Sequence, residues 1–201
     1  MNLPNKITLA RILMIPVFVL IFFLDVIPFN FLIAAIIFIV ASLTDALDGY
    51  IARSRNLVTN LGKFLDPIAD KVLVSTAMVL LLTMRESLFG VFSVGVGDGL
   101  YIATTVCVVV ILAREFIISA FRQIAATTGL VMAAEKLGKY KTVCQDVSLF
   151  VIFLAADLTG TAGLVVAIIG LSLFAIATVL TIVSGISYIV KNRKVLGDSK
   201  E

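Results

Sequence analysis

Four aspartates, Asp45, Asp48, Asp66 and Asp70, are gathered in the stretch TDALDGYIARSRNLVTNLGKFLDPIADK, residues 44 to 71. At about 100° per residue, Asp45 and Asp48 stand about 60° apart on a helix, with Gly49 and Ala52 on the same side. Gly62, Asp66 and Asp70 are spaced i, i+4, i+8, a second stripe if one helix runs through Pro67. The alternative is that Pro67 marks a first helical turn with Asp66 as its cap. Asp66 and Asp70 are neighbours in either case. Carboxylates so placed can hold hard divalent cations through oxygen, and a carboxylate can also act as a general base. Gly49, Ala52 and Gly62, almost without side chains, leave room for a bulky planar group to approach the backbone, although small residues also serve plain helix packing in membranes.

The elements that carry these residues belong to a membrane. Of 201 residues, 61% are hydrophobic and only 14% charged, and the mean hydropathy is +1.15, outside the range of ordinary soluble domains. Apolar runs fall at roughly 12–24, 31–44, 72–84, 100–113, 142–156 and 162–190, several of them approaching the length that crosses the hydrocarbon layer. They lack the alternation of barrel strands, so the expectation is an all-α integral membrane protein with six transmembrane helices in one domain, 1–201. Lys6 and Arg11 before the first run could open a secretory leader, but no small-residue cleavage site follows before Asp25, and this run is expected to be a span. With the short connection between spans 2 and 3, the two aspartate stripes are expected to face each other from antiparallel neighbours. Four carboxylates close together need protons or cations to be tolerated beside hydrocarbon.

Histidine is absent, which excludes histidine-ligated zinc and a histidine base. Cys107 and Cys144 show neither CxxC spacing nor histidine neighbours and are expected to be small core residues. Fifteen of the 16 basic residues lie at the termini or in the connections after spans 2 and 4, leaving Arg85 alone on the other side. The positive-inside bias then places both termini and the aspartates at the cytoplasmic face. Most of this basic excess reads as topology and attraction to anionic membrane lipids rather than to nucleic acid. Arg114 and Arg122 differ, because LAREFIISAFRQIA continues an apolar pattern in which an arginine needs a polar cavity or a partner.

Asp45-x-x-Asp48-Gly49-x-x-Ala52-Arg53, then eight residues, then Gly62-x-x-x-Asp66-x-x-x-Asp70, resembles the signature of the CDP-alcohol phosphotransferase family at every fixed position and spacing. NLPNKITLARI, NLVTNLGKFLDPIADK, AREF and LGKYKT are similar to the branch of that family whose acceptor is glycerol 3-phosphate. The resemblance implies a bacterial multi-pass plasma-membrane enzyme of phospholipid biosynthesis, commonly a homodimer, using CDP-diacylglycerol. It also implies one or two Mg²⁺ or Mn²⁺ ions on Asp45, Asp48 and Asp66, with Asp70 beside them as general base. Gly49, Ala52, Arg53 and Gly62 would belong to the CDP site, with Asn5, Thr8 and Arg11 beside it.

A phosphorylated acceptor brings a near-dianionic group that needs fixed cations, and Arg114, Arg122, Lys139 and Lys141 are the candidates. Serine or phosphatidylglycerol would be other acceptors within the family. Glycerol phosphate is chosen over inositol phosphate by the resemblance alone. Ion-coupled carriers also place aspartates inside bundles, but near the midplane and among broken helices in inverted halves, neither of which is evident in this sequence.

Overall fold

The computed structural model describes residues 2–54, 59–127 and 136–192. Among the described residues every regular element is a helix: α1 Leu3–Phe22, α2 Asn30–Ser54, α3 Asn60–Thr83, α4 Arg85–Phe89, α5 Val96–Thr127, α6 Lys136–Ala156 and α7 Gly160–Lys191. Each of the six apolar runs lies within, or nearly within, one long helix. Proline opens α1 at its first turn, where the missing N–H has no helical partner to lose. Thr59 caps α3, its hydroxyl accepting from the Gly62 N–H at 3.0 Å. Because α3 begins at Asn60, Pro67 lies inside the helix, and Asp66 is a helical residue rather than a cap.

Among the described residues, three helices are long and apolar enough to cross a membrane by length and composition: Pro4–Phe22, Val96–Ala125 and Gly160–Lys191. The apolar part of α2 is shorter, covering 30–45. In α3 and α6 the site residues intrude, Asp66, Asp70 and Lys71 in one and Lys139, Lys141 and Asp146 in the other. The helices that fall short of the expected six are thus those whose site-end turns carry charged groups.

Burial is arranged for an apolar surrounding. Along α7 the inward face is small or polar, including Ala167, Gly170, Thr181, Ser184 and Gly185, while Ile169, Ile176 and Val183 stand about half exposed outside. Helix α6 packs most extensively on α7, and α1 on α2. A cluster of phenylalanines, Phe18, Phe22, Phe38 and Phe153, ties α1, α2 and α6 together with ring centroids 5.6 to 6.5 Å apart. A Cβ on Gly170 would stand 2.8 Å from Ile152 Cγ1 and 3.1 Å from the Ile152 backbone nitrogen, so α6 would have to move away bodily. Gly170→Ala is therefore expected to lower stability by about 1–3 kcal/mol, read as a lower unfolding temperature in detergent.

The two ends of the bundle differ. At one end Asn30 donates to the Phe22 carbonyl at 2.7 Å, and Asp157, just beyond α6, accepts from the Leu32 N–H at 2.6 Å to satisfy the start of α2. The connection 85–99 is built into this end: α4 buries Leu88 and Phe89, and Arg85 bonds Asp98 at 2.8 Å while lying over the Tyr101 ring. Gly95 has φ +89°, the left-handed turn that brings the chain into α5. The opposite end gathers the start of α1, the end of α2, the start of α3, the end of α5, the start of α6 and the end of α7, and there the charged residues meet.

Candidate active site

Helix α1 enters this end with a polar stripe, Asn5, Thr8 and Arg11, buried to 5%, 1% and 0% exposure. Arg11 Nη1 donates to Asp45 Oδ1 at 2.5 Å and its Nε to Thr44 Oγ1 at 3.2 Å, both on α2. One turn earlier on α1, Thr8 Oγ1 donates to Asp66 Oδ1 on α3 at 2.8 Å. Asn5 Oδ1 accepts from the Thr59 hydroxyl at 3.0 Å. The stripes of α2 and α3 thus meet through α1, against which α3 packs more than against α2. Direct α2–α3 facing, as the short connection implied, is the smaller contact because α1 supplies the bonds between them.

Asp70, one turn beyond Asp66, opens into a cleft between α3, α5 and α6. Its polar wall is Asp70, Lys71, Ser75, Glu115, Lys141, Thr142 and Gln145; Val74, Met78, Leu112 and Phe116 form the apolar side. Asp70 lies within electrostatic reach of Asp45 and Glu115, with Arg11 and Lys71 as the opposing charges. The Lys141 ammonium, almost fully buried, bonds Glu115 Oε1, and Arg114 Nη1 reaches the same oxygen at 2.9 Å. Two cations are thereby held at one carboxylate on the wall facing Asp70.

The expected phosphate-binding residues separate here. Lys141 lines the cleft, and Arg114 stands behind Glu115, its Nη2 on Ser184 Oγ at 3.0 Å and its chain packed over Gly185. Arg122, about 12 Å further along α5, donates from Nε to the Tyr188 hydroxyl at 3.2 Å and lies over that ring. Lys139 is exposed on α6. Gly62 is buried, and the space beside it holds Asn5 and Thr59: a Cβ there would be 2.9 Å from Asn5 Oδ1. Gly49 lies on α2 near Asp45. The side chains of Asp48, Ala52 and Arg53 lie outside the described residues, although their helix is described.

Two acidic residues without a role in the sequence reading also join the site. Glu115 directly follows Arg114, but its partner Lys141 lies 26 positions away. Asp146 on α6 accepts from Ser42 Oγ at 2.7 Å and lies within electrostatic reach of Asp70 and Asp45. Its Oδ1 is buried without a hydrogen bond. No sequence spacing connects either residue to the aspartate motif; only helix packing does.

Whether the residues suit a metal is a question of donors. Among the described residues no three acidic side chains form a complete ligand group by themselves. Asp45 and Asp66 each have Oδ1 held by α1, and among the described residues no hydrogen bond reaches Oδ2 of either. Oxygen donors of this type fit hard divalent cations.

Fold and site together define an all-helical bundle, apolar on its outside, with acidic residues from two consecutive helices at one end. The model of the CDP-alcohol phosphatidyltransferase family matches residues 1–190, and the chain belongs to that family. It is 44% identical over 164 residues to a CDP-diacylglycerol–glycerol-3-phosphate 3-phosphatidyltransferase of Bacillus subtilis (strain 168), covering 76% of this chain and 77% of the relative. Proteins of the same description from Rickettsia bellii (strain RML369-C), 37% identical over 187 residues, and Shigella flexneri serotype 5b (strain 8401), 40% identical over 192 residues, each align over at least 93% of both chains.

Proposed function

We propose that the protein transfers the phosphatidyl group of CDP-diacylglycerol to sn-glycerol 3-phosphate, yielding phosphatidylglycerophosphate and CMP. The observation that carries this reading is the cleft that sets Asp70 opposite the buried Lys141–Glu115 pair, beside Asp45 and Asp66. The names of the relatives supply the substrates.

In this reading the acceptor hydroxyl gives its proton to an Asp70 carboxylate oxygen. The hydroxyl oxygen attacks the phosphorus that carries diacylglycerol, and the bond from that phosphorus to the bridging oxygen breaks, releasing CMP. Asp45, Asp48 and Asp66, with Asp70 adjacent, would hold Mg²⁺ or Mn²⁺, which when bound neutralises charge on the diphosphate and the transferring phosphoryl group. Lys141 holds the acceptor phosphate at the cleft, Arg114 backs that wall through Glu115, and Arg122 and Lys139 lie on its approach. Gly49, Ala52 and Arg53 face the cytidine diphosphate, while the space expected for it beside Gly62 is taken by Asn5 and Thr59. An apolar groove lined by Val19, Phe23, Val72, Val79 and Leu80 shares Lys71, Ser75 and Phe116 with the cleft, which suits a donor whose tails remain in lipid.

The six long helices, each carrying an apolar run, support six spans, and the basic residues at the site end support a cytoplasmic active site with both termini on that side. The test is CMP release by purified protein given CDP-diacylglycerol, Mg²⁺ or Mn²⁺ and one acceptor at a time. Turnover is expected with glycerol 3-phosphate and not with serine. Robust turnover with inositol phosphate or serine and none with glycerol 3-phosphate would overturn the acceptor while sparing the family chemistry.

A further inference from the structure

We infer that the α1 stripe of Asn5, Thr8 and Arg11 is the outer shell of the site, fixing one oxygen of Asp45 and one of Asp66 so that the other faces a divalent cation. The inference rests on the metal-dependent reading above and adds positioning residues to it. These three residues would otherwise be taken as contacts of the nucleotide, but they are almost completely buried and their polar ends bond the helices that carry the acids.

The stripe repeats every third residue, so its members share an arc of about 120° on α1. Arg11 reaches α2 with two of its nitrogens, Nε and Nη1. Thr44 Oγ1 donates to the Ala41 carbonyl at 2.6 Å, which turns a lone pair toward Arg11 Nε, while Nη1 takes Asp45 Oδ1. A lysine, with one ammonium point, does not fix that plane. The Thr8 hydroxyl has one proton, and its acceptors include Asp66 Oδ1 at 2.8 Å and the Pro4 carbonyl at 3.2 Å. The shorter bond, to the Asp66 carboxyl, takes the proton. Asn5 acts one step further back: it holds Thr59, which caps α3 at Gly62, one helical turn before Asp66. Each carboxylate therefore has its rotation restricted by a buried donor.

Ligating carboxylates restrained in this way bind a cation with less ordering left to do, and loss of such an outer partner typically weakens metal binding by about 10- to 100-fold. The test is titration of the full-length purified protein with Mn²⁺ alone, following free Mn²⁺ by its paramagnetic resonance signal. Thr8→Val, nearly the same shape without the donor, is expected to bind about 10-fold more weakly, and Thr8→Ser to return close to wild type. Arg11→Lys is expected to weaken binding as well. If Thr8→Val binds as tightly as wild type, or Thr8→Ser as weakly as Thr8→Val, the inference is overturned alone. A wild-type protein that binds no Mn²⁺ overturns it together with the metal-dependent reading.

Discussion

Asp70→Asn is expected to lower kcat by about 10²–10⁴-fold, the usual contribution of a positioned proton acceptor, while Mn²⁺-dependent binding of CDP-diacylglycerol stays close to wild type. The amide preserves the shape and one oxygen but cannot take the hydroxyl proton. Asp70 is the acid to single out because its neighbours divide the work: Asp45 is engaged by Arg11 and Asp66 by Thr8, whereas Asp70 lines the cleft with Lys141 and Ser75. A variant that still releases CMP within about tenfold of wild type would remove Asp70 as the base. One that loses donor binding as well as turnover would make it chiefly a metal ligand. Single-turnover CMP release and donor binding, measured on the same preparation, separate these outcomes.

The division between Asp70 and the other acids was only partly legible in the sequence. Helical spacing made Asp45 and Asp48 neighbours and put Asp66 beside Asp70, because those relations lie within single helices. Composition located all six long helices, because the apolar runs mark where lipid meets protein. It did not locate their ends. Helix α2 runs on to Ser54, α5 to Thr127, and α3 begins at Asn60, well outside the apolar runs. Hydropathy reports where hydrocarbon stops, whereas these helices continue into the polar end that forms the site. The five residues of α4 are too few to show a helical period at all.

What escaped the sequence is tertiary pairing. Arg11 and Asp45 are 34 residues apart, Thr8 and Asp66 are 58 apart, and Ser42 and Asp146 are 104 apart. Asn5, Thr8 and Arg11 could be recognised as unusual at the start of an apolar helix, but the carboxylates they touch depend on how α1 lies against α2 and α3. Gly62 shows the same limit. A residue without a side chain in the motif reads as space for a substrate, yet Asn5 and Thr59 occupy the volume directly above it. Among the expected phosphate ligands, equal charge gave no ranking. Burial does: Lys141 is inside the cleft, Arg114 is behind its wall, Arg122 is on Tyr188, and Lys139 is exposed.

That ranking predicts an order of effects on the acceptor. Lys141→Met keeps the length of the side chain and removes its charge, and Glu115 retains Arg114 at 2.9 Å, so the carboxylate is not left alone. A charge-assisted hydrogen bond to phosphate is worth about 1.5–3 kcal/mol, which corresponds to a rise of about 10- to 100-fold in KM for glycerol 3-phosphate. KM for CDP-diacylglycerol should change little. Lys139→Met, removing an exposed charge, should stay within about threefold of wild type for both substrates, with Arg122→Met between these extremes. Initial rates of CMP release with each substrate varied in turn give both constants. If Lys141→Met instead raises KM for CDP-diacylglycerol and leaves glycerol 3-phosphate unaffected, the lysine belongs to the donor diphosphate. The acceptor phosphate must then be held from the Arg122 side, because Lys141 is the basic residue on the cleft wall that faces Asp70 across from α3.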